Sequence, residues 1–275
     1  MGTFRKLGIC FLVFAALLMS ASFVTAETTF ERIRRTGVMR SAAQVGWAPY
    51  WTKNLTTGEW EGFAVEFGKD LANELGVKLE HVESTSGQSI LDLQVNKIEI
   101  SFCLTPSPKR MLSVDFTRPL YFLSHGVIVR PGFKQVKTWE DLNDPKVKIV
   151  ADLGSTHEMF ARRYAPKANI AVFKTRDEAT MALLGRRADV LSTTMILGLT
   201  AVKKNPELGK FVIPKPALFG PVCAAVPRED DKTFRDFVSN WADYNRGLGN
   251  IQEWMLKAIY SMGVKASDIP PDLQF

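Results

Sequence analysis

The 275-residue sequence is poor in the side chains that most often carry chemistry. It has three cysteines, Cys10, Cys103 and Cys223, and three histidines, His81, His125 and His157, all far apart in the chain. No C-x-x-C pair and no metal-ligand spacing occurs, so neither thiol redox chemistry nor a bound metal is expected. A G-x-S-x-G elbow and a phosphate-binding glycine loop are missing too, which removes the signatures of a serine hydrolase and of a nucleotide enzyme. Beyond residue 26 no run is long and apolar enough to span a bilayer. Charge of one sign is also lacking. The formal net charge is +6 from 35 basic and 29 acidic residues. That balance is modest and scattered, and it argues against a nucleic-acid partner.

What is present begins at the N-terminus. Arg5 and Lys6 precede a mostly apolar run from Leu7 to Phe23 and the small-residue exit Val24-Thr25-Ala26. This is the pattern of a secretory signal peptide cleaved near Ala26; an uncleaved anchor is the alternative. Cys10 does not stand at that exit, which argues against a lipid-modified cysteine there. Two of the 35 basic residues and none of the 29 acids lie in this segment, so the remainder carries +4. The expected product is a soluble exported chain in an oxidising compartment. Cys103 and Cys223 could bond there, but the sequence does not pair them. With 46% hydrophobic residues, the chain can bury one core or two smaller ones.

Strand and helix patterns alternate. "GVMRSAA", "VKLEHV" and "KIEISFC" read as strands. "FAVEFGKDLANELG" reads as an amphipathic helix stopped at Gly76, and "QSILDLQV" as another helix. After "VDFTRPLYFLSHGVIVRPG" the order starts again, with "WEDL" helical, "VKIVADL" extended, "STHEMFARRY" helical, "NIAVF" extended, "RDEATMALLG" helical and "ADVLS" extended. Two phrases match across the series. "LQVNKIEI" and "LLGRRADV" each end a helix, place a cation after it and enter a strand through an acid. The repetition suggests two similar α/β lobes. "ALFGPVCAAVPRED" adds a strand, and two helices separated near Gly247 and Gly249 complete the chain.

Two turns look able to receive an anion. In "SFCLTPSPKR", Ser107 and Pro108 start a helix, so Arg110 falls in its first turn. A cation is unfavourable at that end unless it faces water or an anion, and Thr105 with the free amides would complete a carboxylate socket. In "ADLGSTHEMF", Gly154 allows close approach, Ser155 to Glu158 matches a capping box, and the Thr156 hydroxyl stands at the helix start. By itself that is an ordinary cap. Together the two turns could hold one anion between two lobes.

In the order and spacing of "TGVMRSAAQVGWAPY", "EGFAVEFGKDLANELGVKLE", "KIEISFCLTPSPKR", "VDFTRPLY", "GSTHEMF", "LLGRRADV" and "GNIQEWMLKAI", the chain resembles the periplasmic solute-binding proteins of bacterial amino-acid ABC importers, extracellular solute-binding family 3. The resemblance implies a two-lobed type II periplasmic binding protein fold of α/β class, its lobes joined by two crossing hinge strands. Lobe 1 would comprise 27–125 with 221–275, and lobe 2 would comprise 126–220, after a signal peptide at 1–26. Hinges would lie near Leu123 to Val127 and near Phe219 to Cys223. It also implies a periplasmic monomer without a cofactor, which captures a small carboxylate and presents it to a membrane permease.

In that family the arginine matching Arg110 grips the ligand carboxylate. Thr105 and Thr156 would assist, and Trp47 would cover the ligand side chain. Gln44, Phe102, Cys103, Ser155 and His157 fall at other pocket positions. From the residues alone, a core or loop aromatic is an equal reading of Trp47, and a helix-end surface residue is the commoner reading of His157. Three departures stand out. Thr194 occupies the place of the aspartate that usually pairs with the ligand ammonium. Ser86 stands where a pocket aromatic is common, and Ala64 replaces the first acid of the usual "GFDVD" phrase. The carboxylate half of the site is therefore expected to be kept and the amine half changed. The alternative class is an exported dehydratase of the cyclohexadienyl type, acting on prephenate or arogenate. It would need a general acid, but Leu197 falls at the expected place. A receptor-docking signalling role would use the same pocket. The sequence does not give the ligand's identity.

Overall fold

A computed structural model describes residues 27–269. The expected signal peptide therefore lies outside the described residues. In chain order the strands are β1 (Val38–Gln44), β2 (Thr52–Lys53), β3 (Trp60–Glu61), β4 (Lys78–Ser84), β5 (Ser101–Leu104), β6 (Val114–Phe116), β7 (Tyr121–Val129), β8 (Lys148–Asp152), β9 (Asn169–Phe173), β10 (Val190–Thr194), β11 (Lys210–Val212) and β12 (Leu218–Pro227).

In the first lobe β1 pairs in parallel with β4, and a bridge from Ser41 to Ile100 brings in the segment that leads to β5. β12 then pairs antiparallel with β5 and β6. In the second lobe β8 pairs in parallel with both β9 and β10, while β7 runs antiparallel to β10 and β11. Two long strands connect these sheets. Tyr121 to His125 of β7 pair with Leu218 to Val222 of β12, after which β7 continues into the second lobe and β12 into the first. This is the two-lobed α/β architecture with crossing strands that the resemblance implies.

Residue periodicity explains how each lobe closes its core. In the second lobe Val127, Val129 and Ile149 pack on one face of the sheet with Trp139 and Leu142, while Ile128, Val150 and Leu191 pack on the other with Leu183 and Leu208. Side chains alternate faces along a strand, so two apolar layers need unbroken apolar strands, as "IVA" and "GVIV" provide. The first lobe is centred on Phe63, Phe67, Phe102, Trp241 and Met255. The helix Met195–Lys204 contributes Met195, Ile196 and Leu197 to that same cluster, next to Trp47 and Trp51, which ties the two lobes together.

The repeated phrase has a structural counterpart. Asn96 and Arg186 both adopt positive φ, 56° and 54°, directly after a helix. Glu99 then accepts from the Arg40 amide at 2.7 Å, and Asp189 accepts from the Lys148 amide at 2.9 Å. Each acid also binds an arginine, Arg40 or Arg130. In both lobes a carboxylate, buried at Glu99 and half-buried at Asp189, thus fixes the helix-to-strand turn against the neighbouring strand.

The local pattern misleads in two places. The "KIEISFC" strand begins only at Ser101, because Lys97 and Ile98 belong to the turn that Glu99 anchors. Helix Met195–Lys204 has no recognisable start or stripe in the sequence. Its N-cap Thr194 makes no side-chain cap bond, and Met195, Ile196, Leu197, Gly198 and Thr200 are all buried. A helix buried on several sides carries no amphipathic signal.

Candidate functional site

The residues between the lobes sit at the carboxyl ends of strands, where side chains leave the sheet core and face the crevice. Trp47 follows β1, Ser86 follows β4, Thr105 and Arg110 follow β5, Thr156 and His157 follow β8, and Thr194 ends β10. These residues, with Tyr50, Cys103, Leu104, Leu123 and Val222, enclose a cavity of about 20 Å³. That is room for about one water. Their chemistry is therefore more informative than the volume.

Arg110 is the one cation on this wall, and its side chain is 8% exposed. Ser107 caps the short helix Pro108–Met111 by accepting from the Arg110 amide, which fixes where the guanidinium emerges. Nη1 donates to the Thr105 carbonyl at 3.0 Å, and Nη2 donates across the cleft to the Gly154 carbonyl at 2.8 Å. No carboxylate lies within ion-pair distance of it among the described residues. Burial lowers its pKa from 12.5 to about 10, opposed by the field of Asp152. Such an arginine has a strong unmet preference for an anion.

The opposite wall comes from helix Thr156–Tyr164. Ser155 caps it by accepting from the Glu158 amide at 3.2 Å, and its own hydroxyl donates to the Asp152 carbonyl at 2.6 Å. The Glu158 carboxylate reaches the Gly154 amide rather than closing a full capping box. The amides of Thr156 and His157, first in the helix, have no acceptor within it. Gly154 has φ +71°, and a Cβ there would meet the Gly87 Cα at 3.0 Å, so the lobes touch through two glycines.

Behind Thr156 is a buried polar network that single-residue reading did not anticipate. His157 is 1% exposed rather than at the surface. Its Nδ1 donates to Asp152 Oδ1 at 2.9 Å, Arg176 Nη1 donates to the same oxygen at 3.4 Å, and Arg176 Nη2 donates to the Thr193 hydroxyl. Burial would raise the Asp152 pKa, but the hydrogen bond from His157 and the charge and hydrogen bond of Arg176 outweigh it and hold the carboxyl at about 2. Burial lowers the His157 pKa below its usual value despite Asp152, so the imidazole is neutral. Trp47 stacks on that ring at 5.4 Å. The His157 Nε2 and Thr194 Oγ1 atoms are buried without a partner.

Of the ten residues expected from the sequence, Trp47, Cys103, Thr105, Arg110, Thr156, His157 and Thr194 line the cavity. Gln44 stands behind Ser86, whose hydroxyl donates to Gln44 Oε1 at 2.9 Å. Ser155 serves as the helix cap. Phe102 faces the first-lobe core, against Phe67 and Trp241, because alternation along β5 sends its side chain away from the cleft. Cys103 takes φ +61°, a strained conformation for a side chain with a Cβ, and turns the strand end toward the cavity. Cys103 and Cys223 are both free thiols. Tyr50 was missed, and only its neighbour Trp47 in "GWAPY" could have signalled it. A larger groove of about 820 Å³ lies beside the cleft among Lys53, Trp60, Asp177 and Lys204, and none of the ten residues lines it.

Comparison with known proteins gives a consistent result. The family profile of bacterial extracellular solute-binding proteins, family 3, matches residues 39–259. A cyclohexadienyl dehydratase of Pseudomonas aeruginosa is 26% identical over 244 residues, 87% of this chain and 89% of that one. The ABC transporter glutamine-binding protein of Bacillus subtilis is 31% identical over 162 residues, 57% of this chain and 59% of that one. The crystal structure of an ancestral amino acid-binding protein, described as a precursor of cyclohexadienyl dehydratase, superimposes with TM-score 0.76 at 29% identity. That match covers 84% of this chain and all of the ancestral one.

Proposed function

The chain belongs to the bacterial extracellular solute-binding proteins, family 3, and from that premise we propose that it is the periplasmic capture component of an ABC importer. It takes a small carboxylate, an amino acid or a derivative of one, between its lobes and presents it to a membrane permease. Lobe 1 comprises 27–125 with 221–275, and lobe 2 comprises 126–220. Arg110 grips the carboxylate, assisted by Thr105 and by Thr156 at its helix start, while Trp47 covers the rest of the ligand. The ligand works by differential affinity, because only the closed form brings Arg110 and the Thr156 turn together. The observation that carries this reading is the guanidinium of Arg110, buried at 8% exposure on the cavity wall with two neutral carbonyls as its only acceptors among the described residues. Titration calorimetry over a panel of small carboxylates should give saturable binding that Arg110→Ala removes. Equal binding by that variant would end the proposal.

The similarity to a dehydratase over 87% of the chain supports a second reading, an exported prephenate or arogenate dehydratase. Three features weigh against it. Among the described residues no carboxylic acid lines the cavity, Leu197 is buried in the core, and Asp152, with a pKa of about 2, holds no proton to give. Steady formation of product from prephenate, followed by chromatography, would favour the enzyme.

A further inference from the structure

The cavity wall offers one cation and, beyond hydroxyls, one acceptor of defined polarity. Asp152 does not line the cavity. Its Oδ1 is held by His157 and Arg176, and its Oδ2, buried without a partner among the described residues, belongs to a residue behind the cavity wall rather than on it. Because the neutral imidazole gives its one proton, on Nδ1, to Asp152, its Nε2 carries a lone pair and can only accept. That nitrogen is buried and has no partner among the described residues, which is a costly state unless something donates to it. Thr194 Oγ1, the other unpartnered atom on a cavity-lining residue, can rotate to donate or accept and so does not discriminate.

Charge balance narrows the donor. Arg110 and Arg176 are positive and Asp152 is negative, so the buried groups around the cavity sum to one positive charge. A monocarboxylate with a neutral donor brings the sum to zero. A zwitterion leaves it at one positive charge and places an ammonium beside a guanidinium with no carboxylate of its own, at a desolvation cost of several kcal/mol.

We propose that His157 receives a neutral hydroxyl on the ligand, so that the cleft prefers small 2-hydroxy carboxylates to the 2-amino acids of the same skeleton. This rests on the carboxylate reading of Arg110 given above. Asp152 and Arg176 act as positioning residues that fix the imidazole tautomer, and Trp47 holds the ring from its open face.

The test is calorimetry on the purified protein with matched triplets: lactate, alanine and propionate; 2-hydroxyisocaproate, leucine and 4-methylpentanoate; phenyllactate, phenylalanine and phenylpropionate. Whichever skeleton binds, the hydroxy acid should bind about tenfold or more tightly than both its amino and its unsubstituted partner. In His157→Leu that preference over the unsubstituted acid should vanish. A tighter amino acid, or an unchanged preference in His157→Leu, overturns the inference and leaves the carboxylate reading intact. Failure of every carboxylate to bind the wild type removes both. Nitrogen-15 NMR of labelled histidine gives a readout that does not depend on the variant folding. A protonated Nε2 on His157 would overturn the inference by itself.

Discussion

Replacing Arg110 by methionine separates binding from stability. In the wild type, burial depresses the guanidinium pKa from 12.5 to about 10. This corresponds to about 3 kcal/mol against the charged form. The bonds to the Thr105 and Gly154 carbonyls return part of it, at about 1.5 to 3 kcal/mol for a bond to a charged group. Methionine fills a similar volume and carries no charge, but it leaves two carbonyls without that donor. The two effects are of similar size and opposite sign, so the melting temperature of the unliganded protein should shift by no more than about 4 °C either way.

Binding should respond very differently. A bidentate guanidinium–carboxylate pair is stronger than bonds to neutral acceptors, and losing it leaves a buried carboxylate unpaired. The expected loss is about 3 kcal/mol or more, which is a hundredfold or greater weakening. Saturating ligand at about 100 times its dissociation constant stabilises the wild type by about 2.7 kcal/mol. For a chain of this size that is a rise of about 5 to 10 °C. Thermal shift with and without a carboxylate ligand reads both quantities at once. A fall of 10 °C or more in the unliganded variant would show that Arg110 is a structural clasp between the lobes, and a retained ligand shift would show that it does not touch the carboxylate.

Three further outcomes are expected. Gly154→Ala places a Cβ 3.0 Å from the Gly87 Cα at φ +71°, whereas a Cβ at Gly87 meets nothing closer than 3.7 Å; the first variant should hold the cleft open and raise the radius of gyration in X-ray scattering, and the second should not. Burial holds the His125 pKa down to about 3, and burial and Lys69 hold that of His81 at about 4. Both are neutral in the fold and charge on unfolding below about pH 6.5, so stability should fall as pH drops, by about 2 kcal/mol for His125 between pH 6.5 and 5; His125→Phe should flatten that slope in urea melts, and an unchanged slope would refute it. Arg176→Met leaves Asp152 buried without its cation and should cost about 3 to 5 kcal/mol, most of which Asp152→Asn in the same chain should restore.

Much of this architecture was legible in the sequence because it is local. Period-two apolar strands, the Gly76 stop and the Ser107-Pro108 helix start each state their own conformation, and each has a clear counterpart in the structure. Even the matched phrases "LQVNKIEI" and "LLGRRADV" mark the same turn twice. What was not legible depends on residues distant in sequence. Asp152, His157, Arg176 and Thr193 come from a strand end, two helix starts and a second strand, so no spacing rule announces their network. His157 resembles a surface residue in "GSTHEMF" because its polarity is local, while its burial is decided by Trp47 from the other lobe. The direction of Phe102 turned on the register of β5, which a one-residue shift would have reversed.

The two lobes divide the chemistry unequally, and that division bears on how closure is driven. The first lobe supplies a charge without a counter-ion: Arg110 reaches across to Gly154, a neutral acceptor. The second supplies a network open at His157 Nε2 and contained within that lobe, since Asp152, His157, Arg176 and Thr193 all lie between β8 and β10. An acid arriving in the cleft therefore meets a preorganised wall on one side and exchanges a neutral partner of Arg110 for a charged one on the other. The gain is the difference between those two partners rather than the whole strength of the new bond. A ligand lacking any group for His157 collects only that difference, so affinity and closure should both track how fully the second lobe is engaged. Scattering curves taken at saturation with an unsubstituted acid should then show a larger open fraction than with the best ligand. Identical curves would mean that Arg110 alone drives closure.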